Sequence, residues 1–307
     1  MIVQLADTTA SDILAALISA RRNIGVASGL VFTLVVACTA QDYDQAFQDV
    51  QATAAEHPSR ILMVVPTQDP GTRLDAELRT GEGVPGDLVT LRLGGEVRDH
   101  PDSVVLPLLL PDLPVVVWWP GESPAVPMDD PLGALGTRRI TDSANASDPL
   151  QALLIRAHNH QQGDTDLAWT RLTSWRALIS SALDQCHLTV LSAAVESAAG
   201  NAPAALMQAW LHTRLGVPAA RIDTSGEGMH AVRLVTSRGE VSLVRTDQNQ
   251  ALYVVPNQPQ RQVALTRRSI IDLLSEELRR LDHDIVFDEV VGSMAASSAT
   301  GSTGASK

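Results

Sequence analysis

In the first half of the chain, apolar residues fall in short solid runs, and the stretches between the runs repeat with a helical period. Leu30 to Cys38 and Ile61 to Val65 are solid enough to be strands buried on both faces. Between them, Asp42 to His57 places Phe47, Val50 and Ala54 on one helical face, and His57-Pro58-Ser59-Arg60 ends the helix. Strand, helix and strand with short connections make a βαβ unit, which predicts a parallel sheet. Ahead of it, Asp12 to Arg22 predicts a helix capped by Ser11, with Ile13, Leu14, Leu17 and Ile18 inward. Leu88 to Leu93 reads as a further strand.

Pro107, Pro111 and Pro114 then forbid a long helix and predict a rigid corner leading into a strand from Val115 to Trp119. Adjacent strand residues face opposite sides, so Trp118 and Trp119 diverge. One can be core, while the other faces a helix, a pocket or a partner near the carboxyl end of the strand, where such sheets bind ligands. Asp129 to Leu135 predicts a short helix, Arg138 to Ser143 an edge strand, and Asp148 to His160 a helix. The stretch from Gly163 to Arg176 opens a linking helix, with Asp164 or Thr165 as the cap. Ala168, Leu172, Trp175, Ile179 and Ala182 form its apolar stripe. Arg171, four residues before Trp175, is placed to cover that indole, whereas Trp169 and Arg176 point elsewhere.

Beyond this helix the period changes. After a strand from Thr189 to Val195 and a helix from Ala204 to Leu215 come four alternating segments: His230 to Thr236, Glu240 to Arg245, Ala251 to Val255 and Arg261 to Leu265. Their short turns predict an antiparallel sheet. Ser269 to Leu281 is amphipathic, and Asp284 to Val291 is expected to add a strand. The expected fold class is α/β. A mostly parallel N-terminal α/β domain occupies 1–162, a linking helix 163–185 and a smaller C-terminal α+β domain with an antiparallel sheet 186–291, and a disordered tail rich in Ala, Ser, Thr and Gly fills 292–307.

Composition narrows the function. A net charge of −12 over 307 residues argues against nucleic-acid and anionic-membrane partners. Arg21-Arg22, an apolar run and Val35-Val36-Ala37-Cys38 imitate a lipoprotein signal, but Asp7 and Asp12 precede the run, and a buried strand is the better account. Gly81-Glu82-Gly83-Val84-Pro85-Gly86 spells a dinucleotide fingerprint, yet a strand rather than a helix follows it, so a surface turn is expected. Cys38 and Cys186 have no metal spacing; reduced buried thiols are expected, with a bridge left open. No metal and no cofactor is expected, and no nucleophile, zinc or phosphate-loop motif is present.

Four segments in fixed order carry a family resemblance. They are His57-Pro58-Ser59-Arg60; Leu106-Pro107-Leu108-Leu109-Leu110-Pro111-Asp112-Leu113-Pro114 with Trp118-Trp119-Pro120; Leu135-Gly136-Thr137-Arg138-Arg139-Ile140-Thr141-Asp142; and Gly163-Asp164-Thr165-Asp166-Leu167-Ala168-Trp169 with Trp175-Arg176. Together they resemble the OpcA family of glucose-6-phosphate dehydrogenase assembly proteins. The resemblance implies a non-catalytic, cytoplasmic protein that binds glucose-6-phosphate dehydrogenase and favours its active oligomer. It would thereby support the oxidative pentose phosphate pathway and NADPH supply. Trp and Arg dominate interface hot spots, so Trp118, Trp119, Trp169, Arg171, Trp175 and Arg176 are the expected partner contacts. The rival expectation is an enzyme or sensor that binds a sugar phosphate in an arginine-lined crevice of the α/β domain, with Arg60, Arg138, Arg139 and Arg171 as phosphate ligands.

Overall fold

A computed structural model describes residues 1–24, 29–81, 84–186 and 189–302. Glu82 and Gly83 of the glycine-rich turn, the side chain of Cys186 and the end of the expected tail, 303–307, lie outside the described residues. The chain runs through β1 (Ile2–Leu5), α1 (Ala10–Ile24), β2 (Thr33–Ala37), α2 (Tyr43–Ala54), β3 (Ser59–Pro66), β4 (Arg73–Gly81) and β5 (Val84–Gly94). Next come α3 (Glu96–Asp99), α4 (Pro101–Val105), β6 (Val115–Trp118), β7 (Arg138–Thr141), α5 (Pro149–His158) and β8 (Asp164–Asp166). The expected linking helix is two pieces, α6 (Leu167–Thr170) and α7 (Thr173–Cys186). Then follow β9 (Val190–Ser197), α8 (Ala202–Leu215), β10 (Ala219–Asp223), β11 (Met229–Thr236), β12 (Gly239–Arg245), β13 (Gln250–Val254), β14 (Arg261–Ala264), α9 (Ile270–Arg279) and α10 (Ile285–Ser302).

These elements make two compact units, and each takes several segments of the chain rather than one contiguous block. The first unit holds residues 1–142, 161–165 and 270–283; the second holds 143–160, 166–269 and 284 onward. The mixed α/β class is as expected: a mostly parallel sheet comes first and a mostly antiparallel one second.

The first sheet has the order β1-β4-β5-β3-β2-β6-β7-β8. β2 lies parallel to β3 and β6, and β3 parallel to β5, as the βαβ reading requires. β4 and β1 add an antiparallel edge that sequence reading missed. The signal for β4 was present: Leu74, Ala76, Leu78 and Thr80 alternate inward between Arg73, Asp75, Glu77 and Arg79. β7 is not the edge strand expected, because β8 lies outside it. α1 begins earlier than predicted, since the Thr9 hydroxyl, not Ser11, accepts from the Asp12 amide at 3.2 Å. Ile13 and Leu17 are buried on it, but Ile18 is 45% exposed.

α9 was assigned by sequence to the second domain, yet it belongs to the first unit and packs on α2. It buries Leu273, Leu274 and Leu278, and the carbonyl of its Ser275 lies 3.2 Å from His57 Nε2. His57, which follows α2, thus also meets α9.

In the second unit, β10 runs parallel to β9, and the other neighbours in the order β10-β9-β11-β12-β13-β14 are antiparallel. α7, α8 and α10 contribute to one apolar core with this sheet. Asp284 to Val291 forms the start of α10 instead of a strand, and the helix continues to Ser302 through most of the stretch expected to be disordered. Asp284 explains the start: its Oδ1 accepts from the amides of Val286 and Phe287 at 2.9 and 3.1 Å. Phe287, Val290, Val291 and Met294 then recur at helical spacing on the buried side. Among the described residues no helix is long and apolar enough to cross a membrane.

One charged centre under the first sheet generates a test. The carboxylate of Asp87, on β5, accepts from Arg21 Nη2 at 2.6 Å and from Arg60 Nε at 3.2 Å, and Arg60 Nη1 donates to the Leu108 carbonyl at 2.8 Å. Burial lowers the Arg60 pKa, and Asp87 opposes that shift. Asp87→Ala leaves a buried guanidinium without its counter-charge, so we expect a loss of about 3–5 kcal/mol in urea unfolding. A loss below about 1 kcal/mol would show that the triad does not hold the sheet.

Candidate functional site

The region around α6 and α7 is built from a short polar turn. Gly163 has φ +94°, and a Cβ there would stand 2.4 Å from the Thr137 carbonyl oxygen, so glycine is required where the chain enters β8. The cap of α6 is Asp166, rather than Asp164 or Thr165: it accepts from the Ala168 amide at 2.9 Å. The same buried carboxylate accepts from the Ser143 amide at 3.0 Å and lies 3.9 Å from Arg156 Nη1. Its lone pairs are therefore well used inside the second unit.

α6 stops at Thr170, and Arg171 and Leu172 link it to α7. This break changes the predicted arginine–tryptophan pairing, because residues 171 and 175 are not on one continuous helix. Arg176, not Arg171, stacks on an indole: its Cζ is 3.6 Å from the Trp169 ring centroid. Trp175 is faced instead by Arg245 at 5.4 Å. Trp169 Nε1 donates to Asp284 Oδ2 at 2.8 Å, and its ring is tilted against Phe287 at 5.7 Å. One carboxylate thus caps α10 and holds the Trp169 indole.

The six expected partner-contact residues separate by exposure. Trp118, Trp119, Trp169 and Trp175 are 1%, 4%, 1% and 3% exposed, so none offers contact area. Trp118 and Trp119 are both packed inside the first unit, since a parallel sheet is covered on both faces, so neither is placed for the partner contact expected of them. Trp119 lies in an apolar cluster with Ile13, Leu17 and Val117, and Gly133 lets the backbone pass close against its ring. Trp118 Nε1 has no hydrogen-bond partner among the described residues. Arg171 and Arg176 are half-buried and keep accessible surface.

The arginines expected to hold phosphate in the α/β domain are committed elsewhere. Arg60 is bound to Asp87 and Leu108, as described above. Arg138 is 3% exposed and is paired with Glu277, with its Nη1 donating to the Asp282 carbonyl at 2.7 Å. Arg139 is paired with Asp164 and donates to the carbonyls of Gly136 and Gln162 at 2.8 and 2.6 Å. Each is buried and meets a carboxylate, so these arginines tie segments distant in sequence into the first unit and offer little charge or surface to a phosphate.

Arg171, the fourth arginine expected to hold phosphate, belongs to a different cluster, whose other members sequence reading missed. In the second unit, Arg171, Arg245, Arg267 and Arg268 line a cavity of about 280 Å³ together with Asn145 and Asn201. Arg245 ends β12, Arg267 and Arg268 follow β14, and Asn201 caps α8 through the Ala204 amide at 2.8 Å. These positions share no sequence period, and the Arg267-Arg268 dipeptide is the one local cue. Among the described residues no group of three or more His, Cys, Asp and Glu side chains is placed to hold a metal.

Comparison with known proteins gives the family. A family model described as the glucose-6-phosphate dehydrogenase subunit N-terminal domain matches residues 50–158. A second, described as the C-terminal domain of that subunit, matches 162–291. The chain belongs to the OpcA family of glucose-6-phosphate dehydrogenase assembly proteins.

A putative OxPP cycle protein OpcA from Synechocystis sp. is 29% identical over 143 residues, 43% of this chain and 30% of that protein. The putative OxPP cycle protein OpcA of Synechococcus elongatus is 29% identical over 182 residues, 53% of this chain and 41% of that protein. The match therefore spans less than half the length of either relative. Among solved structures, an oxidoreductase from Sinorhizobium meliloti superposes with a TM-score of 0.48 at 10% identity, over 89% of this chain and 97% of that one. An NAD binding oxidoreductase from Klebsiella pneumoniae gives 0.41 at 10% identity, over 87% and 96%. Likeness this distant bears on neither activity nor cofactor.

Two tests follow from the site. Trp169→Phe keeps a six-membered aromatic ring but removes the pyrrole ring with the N–H bonded to a carboxylate, and we expect a loss of about 1.5–3 kcal/mol in urea unfolding. Asp284→Ala also uncaps α10, so its loss should exceed that of Trp169→Phe by about 1 kcal/mol. Equal losses would mean that the cap contributes nothing. Separately, Cys38 is 5% exposed, and its pKa is pushed up to about 12 by burial and then by Asp42, against the pull of Arg92. A thiol so rarely ionised is a poor nucleophile. At pH 8, Cys38 should stay unmodified by iodoacetamide in the folded protein and react on unfolding, as read by peptide mass mapping.

Proposed function

We propose that the chain is a non-catalytic assembly factor that binds glucose-6-phosphate dehydrogenase and favours its active oligomer. The observation that carries this reading is the ordered match of both family domains, over 50–158 and 162–291. The relatives' assignment to the OxPP cycle supports a place in the oxidative pentose phosphate pathway, with NADPH supply as the consequence. The proposed compartment is the cytoplasm. The mechanism is linkage: if the active form of the dehydrogenase binds this chain more tightly than the inactive form, occupancy shifts the population by that difference. A difference of about 1.4 kcal/mol is a tenfold shift.

With four tryptophans buried, the proposed contact surface moves to residues that keep accessible area. A groove in the second unit is lined by Arg176, Trp210, Arg214 and Val286, and Trp210 is half-buried there. It combines an indole with two guanidinium groups, the pairing that dominates interface hot spots. In this reading Trp169 contributes by holding Arg176 in position.

The test is to titrate the full chain into purified glucose-6-phosphate dehydrogenase while following activity and sedimentation together. A rise in activity with a shift to a larger species is expected, and no change in either would sink the reading. Trp210→Ala and Arg214→Glu should each weaken the association by at least about tenfold. Unchanged affinity in both variants would place the contact elsewhere on the chain.

A further inference from the structure

The arginine-lined cavity of the second unit stands against the electrostatics of the whole chain. The net charge is −12, yet four arginines face this cavity and no Asp or Glu lines it among the described residues. Two of these side chains, Arg245 and Arg267, are held by backbone carbonyls. Arg245 Nη1 donates to the carbonyls of Leu265 and Gln248 at 2.6 and 3.2 Å, and Arg267 Nη2 donates to that of Glu227 at 3.1 Å. Carbonyls orient a guanidinium without cancelling its charge. This is the opposite of Arg60, Arg138 and Arg139, each of which meets a carboxylate.

The local field agrees with the geometry. Burial lowers the Arg245 pKa, the Arg267 charge lowers it further, and Asp247 opposes the shift. Two like charges close together, one on the half-buried Arg245 and one on the exposed Arg267, favour an anion between them. Gly228 permits the arrangement: it has φ +73°, and a Cβ there would stand 3.1 Å from Arg267 Nη1. Asn201 Oδ1 is taken by the Ala204 amide, which leaves its Nδ2 to donate to a ligand. Trp175 supplies an apolar wall, with Arg245 facing its ring.

We propose that this cavity binds a small phosphate-bearing metabolite of sugar size. A phosphate monoester brings close to two negative charges and three acceptor oxygens, which several guanidinium forks can share. The asparagines provide neutral hydrogen-bonding groups for hydroxyls. The volume of about 280 Å³ suits a compact ligand, at the small end of the usual range of binding pockets. Of the phosphate ligands that the sequence suggested, only Arg171 lines this cavity, which lies in the second unit, and the proposal does not rest on the dehydrogenase reading.

Calorimetric titration of the full chain with glucose 6-phosphate, inorganic phosphate and glucose tests this directly. Glucose 6-phosphate should bind at one saturable site with affinity falling as salt rises, inorganic phosphate should compete for it, and glucose should not bind. Arg267→Ala and Arg245→Gln should each weaken binding by at least about tenfold, while Arg98→Ala, in the first unit, leaves it unchanged. Thermal melts without ligand report whether each variant folds. Arg267 is exposed, so its variant should melt like the parent and decide the matter if Arg245→Gln does not fold. The proposal fails if neither phosphate probe binds saturably, if inorganic phosphate binds and glucose 6-phosphate does not, or if folded variants bind like the parent.

Discussion

The carboxylate of Asp284 is where the second unit is tied together. One oxygen caps α10 and the other accepts the indole N–H of Trp169. The indole in turn carries Arg176 on its face, within cation–π reach. His160 extends the contact, with its ring edge-on to Phe287 at 5.6 Å and its Nε2 at 2.8 Å from Asp288. Helix start, aromatic packing and arginine position are thus set by one small cluster. Without the indole, α6 would lose its hold on α10, and Arg176 would lose the surface that orients it.

Asp166 performs the complementary task at the other end of α6. It caps that helix while binding Ser143, so a four-residue helix too short to be stable alone is held by a buried carboxylate. The break after Thr170 then turns the chain into α7 and separates Arg171 from Trp175. Arg171 and Trp175 both line the cavity. The arginines show how much environment decides role. Arg60, Arg138 and Arg139 are carboxylate-paired struts of the first unit, whereas Arg245 and Arg267 are aimed by carbonyls and keep their charge. Composition cannot distinguish these uses, because the guanidinium is identical in both.

Periodicity alone determined the class of this protein. Solid runs of strand length such as Ile61 to Val65 fit a sheet covered on both faces, and alternation from His230 to Arg245 fits an antiparallel one, and both pairings are observed. The order of the segments from His57 to Arg176 was also enough to mark the family. Local patterns were misread where a charged residue controlled them: Asp284 made a helix of an expected strand, and Asp166, not Asp164 or Thr165, capped the helix expected from Gly163. The tertiary structure alone decided which tryptophans are buried, because covering both faces of a sheet depends on elements far along the chain. It likewise decided that α9 returns to the first unit, and that Arg245, Arg267 and Arg268 converge with Arg171. Convergence of side chains from a strand end, a loop and a helix end leaves no periodic trace, since each position is set by packing at long range and not by its neighbours in sequence.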